Sequence, residues 1–363
     1  GQTQLSGMRI AIDAMGGDIG PEVMVEGAIA GARAFDVAIS LVGDPDAIQQ
    51  CLNKIEHTGL QVAVVEATQS IGMDEHPAQA ARRKPNSSIA VALREVHEHR
   101  ASAMVSAGNS GAVMAAALLI LGRIPGIDRP AIASYMPTAR FRTLVLDLGA
   151  VTDPRPSNLV QFARMGRVYA QQIMELKNPT LGLLSNGEEP TKGNLFVQEV
   201  FPLLAAEPEL NFQGNVEGKD VALGTVDIVL TDGFTGNVAL KVAEGVGSML
   251  SELIRTEVTA NIPRKLAALV LRPAFRAVRA KLDYSEIGGA PLLGVNGAVI
   301  IAHGRSNEKA IKNSVGVARR AAAADLVGAI QRVIAAKSTK SANENQAAEE
   351  DSKDFSASGP IRL

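Results

Sequence analysis

Met8-Arg9-Ile10-Ala11-Ile12-Asp13-Ala14-Met15-Gly16-Gly17-Asp18, with Pro21-Glu22-Val23 close behind, sets the reading of the whole chain. A short apolar run rich in isoleucine breaks at a glycine pair. The chain resumes with a proline where a helix tolerates it best, in the first turn. The pattern predicts a strand over 8–13, a Gly-rich loop and a helix over 22–35, the repeating unit of a parallel sheet.

Working outward, the same alternation continues. Strands are expected over 37–42, 62–65, 103–105, 131–136, 143–147, 180–184, 226–230 and 298–302. Helices are expected over 45–52, 86–99, 110–121, 157–174 and 194–205, in a long region after 232, and over 307–335. This predicts an α/β fold of three layers, αβα, with a mainly parallel sheet covered on both faces. The expected organisation is a short extension over 1–7, a single catalytic α/β domain over 8–336 and a disordered polar tail over 337–363. A helical hairpin is expected to protrude from the domain at about 246–283. No repeat of 20–50 residues is visible.

The 363 residues are 46% hydrophobic and 20% charged, enough for a large core, and the formal net charge of −2 gives no global pull towards polyanions. Tryptophan is absent and aromatics make up 3%, which argues against stacking platforms and so against nucleic acid as a partner. One cysteine, Cys51, excludes an intrachain disulfide and fits a reducing cytoplasm. No apolar run is long enough to span a membrane, and the first seven residues lack the order of a signal peptide.

In open α/β sheets, ligands gather beyond the carboxyl ends of the strands. The unusual residues fall at those ends: Asp13 to Asp18 with Gly16 and Gly17; Ser106-Ala-Gly108-Asn109-Ser110-Gly111; Asp147-Leu-Gly149-Ala; Ser185 to Asn194 with Lys192; and Thr231-Asp232-Gly233-Phe-Thr235-Gly236-Asn237. Each loop alone reads as turn chemistry. Five together point to backbone N–H groups aimed at an anion. Neither a Walker motif nor a dinucleotide fingerprint occurs. Arg82-Arg83-Lys84, read as lying just before a helix start, would hold a phosphate or a carrier's acidic surface, or form a solvated charged turn. None of the five histidines has metal-ligand spacing, so no metal is expected. His303 stands at a strand end, either in the site or in a local hydrogen bond. No Gly-x-Ser-x-Gly elbow occurs.

The stretch 247–281 reads as two helices broken near Asn261-Ile262-Pro263. It carries Leu266, Leu269, Val270, Leu271, Phe275 and Val278 beside Arg264, Lys265, Arg272, Arg276, Arg279 and Lys281, with no acidic residue between Val258 and Leu282. A basic amphipathic segment suits an anionic membrane surface. A dimer interface would bury the same side chains, and both readings hold if the base dimerises and the tip touches lipid.

Together these motifs resemble the phosphate acyltransferase (PlsX) family over about 8–334. The resemblance is carried by the opening Asp13-Ala-Met-Gly-Gly-Asp18, Arg82-Arg-Lys with Asn86-Ser-Ser, Ser106-Ala-Gly-Asn-Ser-Gly-Ala, Gly126-Ile-Asp-Arg-Pro130, Thr191-Lys-Gly-Asn194, Gly214-Asn-Val-Glu217, Thr231-Asp-Gly-Phe-Thr-Gly-Asn-Val238, Tyr284-Ser with Gly288-Gly-Ala290, and Ala302-His-Gly304. It implies transfer of an acyl group from acyl-[acyl carrier protein] to inorganic phosphate, feeding bacterial phosphatidic acid and phospholipid synthesis. It also implies no cofactor, a homodimer, a fold similar to phosphotransacetylases and isocitrate or isopropylmalate dehydrogenases, and a cytoplasmic enzyme touching the inner face of the cell membrane through its basic helical tip. Two positions depart from the family: Val151 stands where an asparagine is usual, and Ser110 where threonine is commoner. The alternatives are a phosphotransacetylase using acyl-CoA and a non-catalytic carrier-binding scaffold.

Phosphate is already a usable nucleophile and a thiolate leaves readily, so the reaction needs chiefly positioning and charge stabilisation. Lys192 with Arg82 or Arg83 is expected to hold phosphate. Asn237, with Asn109 and nearby N–H groups, is expected to polarise the thioester carbonyl. Lys84, Gly16, Gly17, Asp18, Ser106, Gly108, Ser110, Asn194, Asp232, Gly233, Thr235, Gly236 and His303 complete the expected substrate site, with all the loops gathered at one rim. Asp13, Asp18 and Asp232 either orient these groups or cap turns.

Overall fold

The computed structural model describes residues 7–138, 142–282 and 287–337. Most of the expected extension, the tail from 338 onwards, and Tyr284 and Ser285 lie outside the described residues.

The first half of the chain runs β1 (Arg9–Asp13), α1 (Pro21–Phe35), β2 (Ala38–Gly43), α2 (Pro45–Leu52), β3 (Val62–Glu66), α3 (Pro77–Arg83), α4 (Ser88–His97), β4 (Ala103–Ser106), α5 (Ser110–Ile120) and β5 (Ala131–Pro137). It continues with β6 (Arg142–Leu146), α6 (Pro156–Ile173), β7 (Leu181–Leu184), α7 (Leu195–Ala205), a 3-10 turn at Pro208–Leu210, β8 (Phe212–Val216), α8 (Gly218–Leu223) and β9 (Ile228–Leu230). Two long helices follow, α9 (Gly233–Val258) and α10 (Ile262–Leu282), then β10 (Ala290–Leu293), β11 (Ala298–Ile301) and α11 (Glu308–Ala323). A last helix, α12, covers 326–337.

Side chains alternate across each strand, so each strand feeds two cores. Ile10, Ile12, Ile39 and Leu41 join α1 and α11 on one face, while Ala11, Val42 and Met104 join α4 and α5 on the other. Further along the sheet, Leu144, Leu146, Leu183 and Leu230 pack under α6, α7 and α12, and Val145 and Val229 meet Val221 of α8 and Leu240 of α9. The three-layer αβα expectation holds, and most strand pairings are parallel.

Strand order is β3-β2-β1-β4-β11-β10-β5-β6-β9-β7-β8. The β10–β11, β10–β5 and β5–β6 pairings are antiparallel. The two parallel sets, β3-β2-β1-β4-β11 and β6-β9-β7-β8, therefore run in opposite senses. The loops form two clusters, one beyond each set, rather than a single rim continuous along the ladder.

The element readings at three places are refined or met. Arg82, Arg83 and Lys84 do precede a helix start, that of α4 at Ser88, but Arg82 and Arg83 themselves form the last turn of a short helix not expected from the sequence, α3, with Lys84 as its cap. The closing helix is two, broken at Asp325, which sits at φ 47°. The long helical region after 232 is as expected, α9 running from Gly233 to Val258.

Candidate active site

At the end of β1, Asp13 is wholly buried, and its Oδ2 accepts a 2.6 Å hydrogen bond from Ser106 Oγ while Oδ1 accepts from the Met15 N–H. Burial pushes its pKa up, and the hydrogen bonds from Ser106, Ser88 and the Met15 and Gly16 backbone oppose this. Ser106 Oγ also accepts from the Gly108 N–H at 3.0 Å. The loops after β1 and β4 are thus bolted together beneath the surface. Their approach is close: a Cβ on Gly16 would lie 2.8 Å from both Asp13 Oδ2 and Gly108 N. Gly17, at φ 93°, continues the turn, and the Asp18 N–H donates to Gly304 O at 2.8 Å, which ties in the loop after β11.

Ser106 was expected to touch substrate. It is fully buried with its hydroxyl engaged on both sides, so it positions the loop instead. Asn109 is corrected in the same way. Its Oδ1 caps α5 through the Ala112 N–H, and its Nδ2 donates to Met73 O and Glu75 O, 3.2 and 3.1 Å away. With 8% of its surface exposed, it has no donor left for a thioester carbonyl. Lys84 is committed too. Its Nζ bonds Ser70 O and Glu75 Oε1 at 2.8 and 2.6 Å, and the ammonium holds the Glu75 carboxyl below its ordinary range. Lys84 and Asn109 together strap the 70–75 segment across the start of α5.

What remains open in this cluster is the N-terminal turn of α5, with the exposed Ser110, and the exposed Arg82 and Arg83 on α3, which packs against α5 through Pro77 and Gly111. Among the described residues neither guanidinium has an ion-pair partner. Asp18 and His303 are exposed at the edge, and His303 Nδ1 accepts from the Arg305 N–H at 3.1 Å.

In the second cluster, Asp147 plays the part of Asp13. Its carboxylate accepts from the N–H groups of Ile132, Gly149, Ala150 and Val151 at 2.7–3.2 Å. Burial raises its pKa and those four donors oppose the rise. Val151 O in turn accepts from the Gly233 N–H at 2.9 Å. Position 151 thus joins the loop to α9 through its main chain, so valine can stand there without a polar side chain. Gly233 and Gly236 are contact points: a Cβ on Gly236 would sit 2.0 Å from Asp147 O.

Asp232 caps α9 by accepting from the Thr235 N–H at 2.8 Å. Asn194 caps α7 through the Val197 N–H at 2.9 Å, and the residue is exposed. Asn237 differs from Asn109. It is half-buried beside Gly149, and among the described residues its amide has no hydrogen-bond partner. On the neighbouring loop the Lys192 stem lies over Gly187, its ammonium exposed and without an ion pair among the described residues. Thr235 is exposed beside them. Sequence reasoning missed the ion-paired group next to this loop, where Lys219 bonds Glu188 at 3.2 Å and also Glu217, close to Asp220. The opposed carboxylates raise the Lys219 pKa.

The fold is shared with phosphotransacetylases. One from Streptococcus pyogenes superposes with a TM-score of 0.59 at 16% identity, covering 87% of this chain and 94% of that one. One from Staphylococcus aureus gives 0.58 at 14% identity with the same coverage. The family described as "Fatty acid synthesis protein" matches residues 8–328. A phosphate acyltransferase from Desulfitobacterium hafniense (strain DSM 10664 / DCB-2) is 49% identical over 326 residues, 90% of this chain and 97% of that protein. The chain belongs to the phosphate acyltransferase family and is an acyltransferase.

Proposed function

We propose that the protein moves a fatty acyl group from the thioester of an acyl carrier protein onto inorganic phosphate, giving acyl phosphate and the free carrier thiol. A phosphate oxygen attacks the carbonyl carbon, the C–S bond breaks, and the proton carried by phosphate ends on the sulfur. Acyl transfer to phosphate in fatty acid or phospholipid synthesis accords with the family. The carrier as donor and the phosphatidic acid route are the finer reading.

The observation that carries it is the division of labour among the loop residues. Asp13, Ser106, Asn109 and Asp147 are occupied in bracing the loops, while among the described residues the side chains of Asn237, Lys192, Arg82 and Arg83 keep their donors free. Asn237 suits the carbonyl, whose oxygen gains charge in the transition state. Lys192 and the α3 arginines, with the α5 N-terminus, suit phosphate. Sheet twist supports their cooperation. At about 20–25° per step, the five steps from β4 to β9 turn the strand direction by about 100–125°, which offsets much of the polarity reversal and brings both carboxyl rims towards one side.

The test is phosphate-dependent release of thiol from palmitoyl-[acyl carrier protein], run beside acetyl-CoA. Release from the carrier substrate supports the reading. Release from acetyl-CoA alone assigns a short-chain phosphotransacetylase, and carrier binding without release assigns a scaffold.

The hairpin of α9 and α10 presents Leu266, Leu269, Val270 and Leu271 to solvent, with Arg272 beside them and Phe275 half-buried. No described helix is long and apolar enough to cross a membrane. Peripheral contact of α10 with the inner, anionic face of the cell membrane, and pairing with a second copy, remain part of the proposal.

A further inference from the structure

We propose that Asn215 is a positioning residue for Lys192, brought against the Lys192 turn by a bulge in β8. This rests on the acyl-transfer reading, in which Lys192 holds phosphate, and adds what fixes its place. The pairing of β7 with β8 slips by one residue, from Leu181 opposite Phe212 to Gly182 opposite Gly214. Gln213 is the extra residue, and Gly214 carries the bend at φ 100°, a left-handed value that glycine takes without strain. Side chains alternate along a strand, so the slip changes the face on which Asn215 lies. In an unbroken ladder it would stand opposite Leu184, on the side packed by Val221 of α8. Instead it stands opposite Leu183, on the side of α7, and Val216 takes the place beside Leu184. On that side its Nδ2 reaches the loop leading into α7 and donates to Glu189 O at 2.8 Å.

Glu189 O anchors the turn that carries Lys192. The Lys192 N–H donates to it at 3.0 Å, with Pro190 at the second position of the turn, where proline is favoured. The Lys192 stem then lies over Gly187, where a Cβ would meet its Cγ at 2.7 Å. The other amide ties of this loop, Asn186 to the Gly193 N–H and Gln198 to Thr191 O and Gly193 O, are exposed. Among the described residues Asn215 supplies the one side-chain hydrogen bond from the sheet to this loop. Asn215 is 6% exposed, and its Oδ1 has no hydrogen-bond partner among the described residues. An amide buried with one end unmet costs stability that an apolar side chain of similar size does not. Its useful half is therefore the donor, which the Lys192 turn alone receives.

The test compares wild type with Asn215→Val, Asn215→Ala, Lys192→Ala and the double variant Asn215→Ala with Lys192→Ala. Thiol release from palmitoyl-[acyl carrier protein] gives kcat and the KM values for phosphate and for the carrier. Amide hydrogen exchange over residues 186–194 and the urea midpoint are read on the same proteins. Asn215→Val, apolar and of similar size, and Asn215→Ala should each raise the phosphate KM about tenfold or more, with the carrier KM near wild type. Exchange over 186–194 should quicken while the urea midpoint holds or rises. Added to Lys192→Ala, Asn215→Ala should cause no further loss, since the two act through one ammonium. A loss that adds in full to that of Lys192→Ala, an equal rise in both KM values, unchanged exchange, or a urea midpoint that falls in step with activity overturns the proposal. If exchange quickens in both Asn215 variants yet Lys192→Ala matches wild type, or no protein releases thiol, the acyl-transfer role of Lys192 falls and the anchoring of its turn by Asn215 stands.

Discussion

Asn109 and Asn237 are the same residue type at the same kind of place, a strand end opening a helix, and the structure gives them opposite duties. Asn109 has its carbonyl in a cap and its amide on two main-chain oxygens. Asn109→Ala is therefore expected to cost about 1–2 kcal/mol of stability, seen as a lower urea midpoint, with any loss of turnover following the loosened 70–75 strap. Asn237 has nothing to release. Asn237→Ala should leave the urea midpoint in place and lower kcat about a hundredfold, since one oxyanion donor is worth roughly 3 kcal/mol in the barrier. Lys192→Ala should likewise act on turnover rather than on stability. Normal activity in either variant removes that residue from the mechanism. The sequence marks the polar loops at the strand ends but not which amide is open, because capping and catalysis draw on the same short polar residues.

Gly236 links two scales, being one residue whose missing side chain lets α9 seat against the loop after β6. With Asp147 O only 2.0 Å from where a Cβ would be, Gly236→Ala has to push the helix away. Overpacking of this kind costs typically 1–3 kcal/mol, and here it also shifts Asn237. A fall in both the urea midpoint and kcat is expected, whereas Asn237→Ala lowers kcat alone.

At the far end of the second half, α12 is fastened by charge. Glu207 pairs with Arg164 at 2.7 Å and with Lys337 at 2.9 Å, and Lys337 also reaches Glu209. The hydrogen bond from Lys337 lowers the Glu209 pKa to about 2. A carboxyl depressed in the folded state contributes stability that is complete above its unfolded pKa near 4.5 and is lost as pH falls towards 2. Because the pair is partly solvated, about 1 kcal/mol is at stake. Glu209→Gln should flatten that part of the stability–pH curve, measured by urea titrations between pH 6 and pH 3. An unchanged slope would mean the latch adds nothing. This helix was legible as a continuation of α11, but the break at Asp325 was not, since the apolar period runs on through it. Nor was α3, whose seven residues are too few to show a period.

For the whole molecule, alternation of strand and helix was enough to give the layers, because βα units leave a regular apolar signature. Strand polarity was not legible. The reversal lies in β10, β5 and β6, and β10 and β6 have only 4 and 5 residues, whose partners are far apart in sequence. Without it, the expectation of a single continuous rim was natural. With it, the active centre proposed above draws on two loop clusters, one from each half of the sheet.

The hairpin places the remaining prediction at this scale. Residues 259–278 carry Arg264, Lys265, Arg272 and Arg276 and no acid, and Val270 near their middle is 80% exposed. Near an anionic surface each cation contributes about 1 kcal/mol, a contribution that salt screens, whereas apolar insertion is insensitive to salt. The protein should sediment with phosphatidylglycerol vesicles and not with phosphatidylcholine ones, and should be released as salt rises. Arg272→Glu should weaken binding most at low salt and make it less dependent on salt. Val270→Asp should weaken it at every salt concentration, because it removes insertion and adds repulsion. Both variants lie on α10, whereas Asn237 lies at the start of α9, so thiol release from a water-soluble carrier substrate should stay at the wild-type rate. Equal binding to both kinds of vesicle, or indifference to both substitutions, would leave the hairpin to a second copy of the chain.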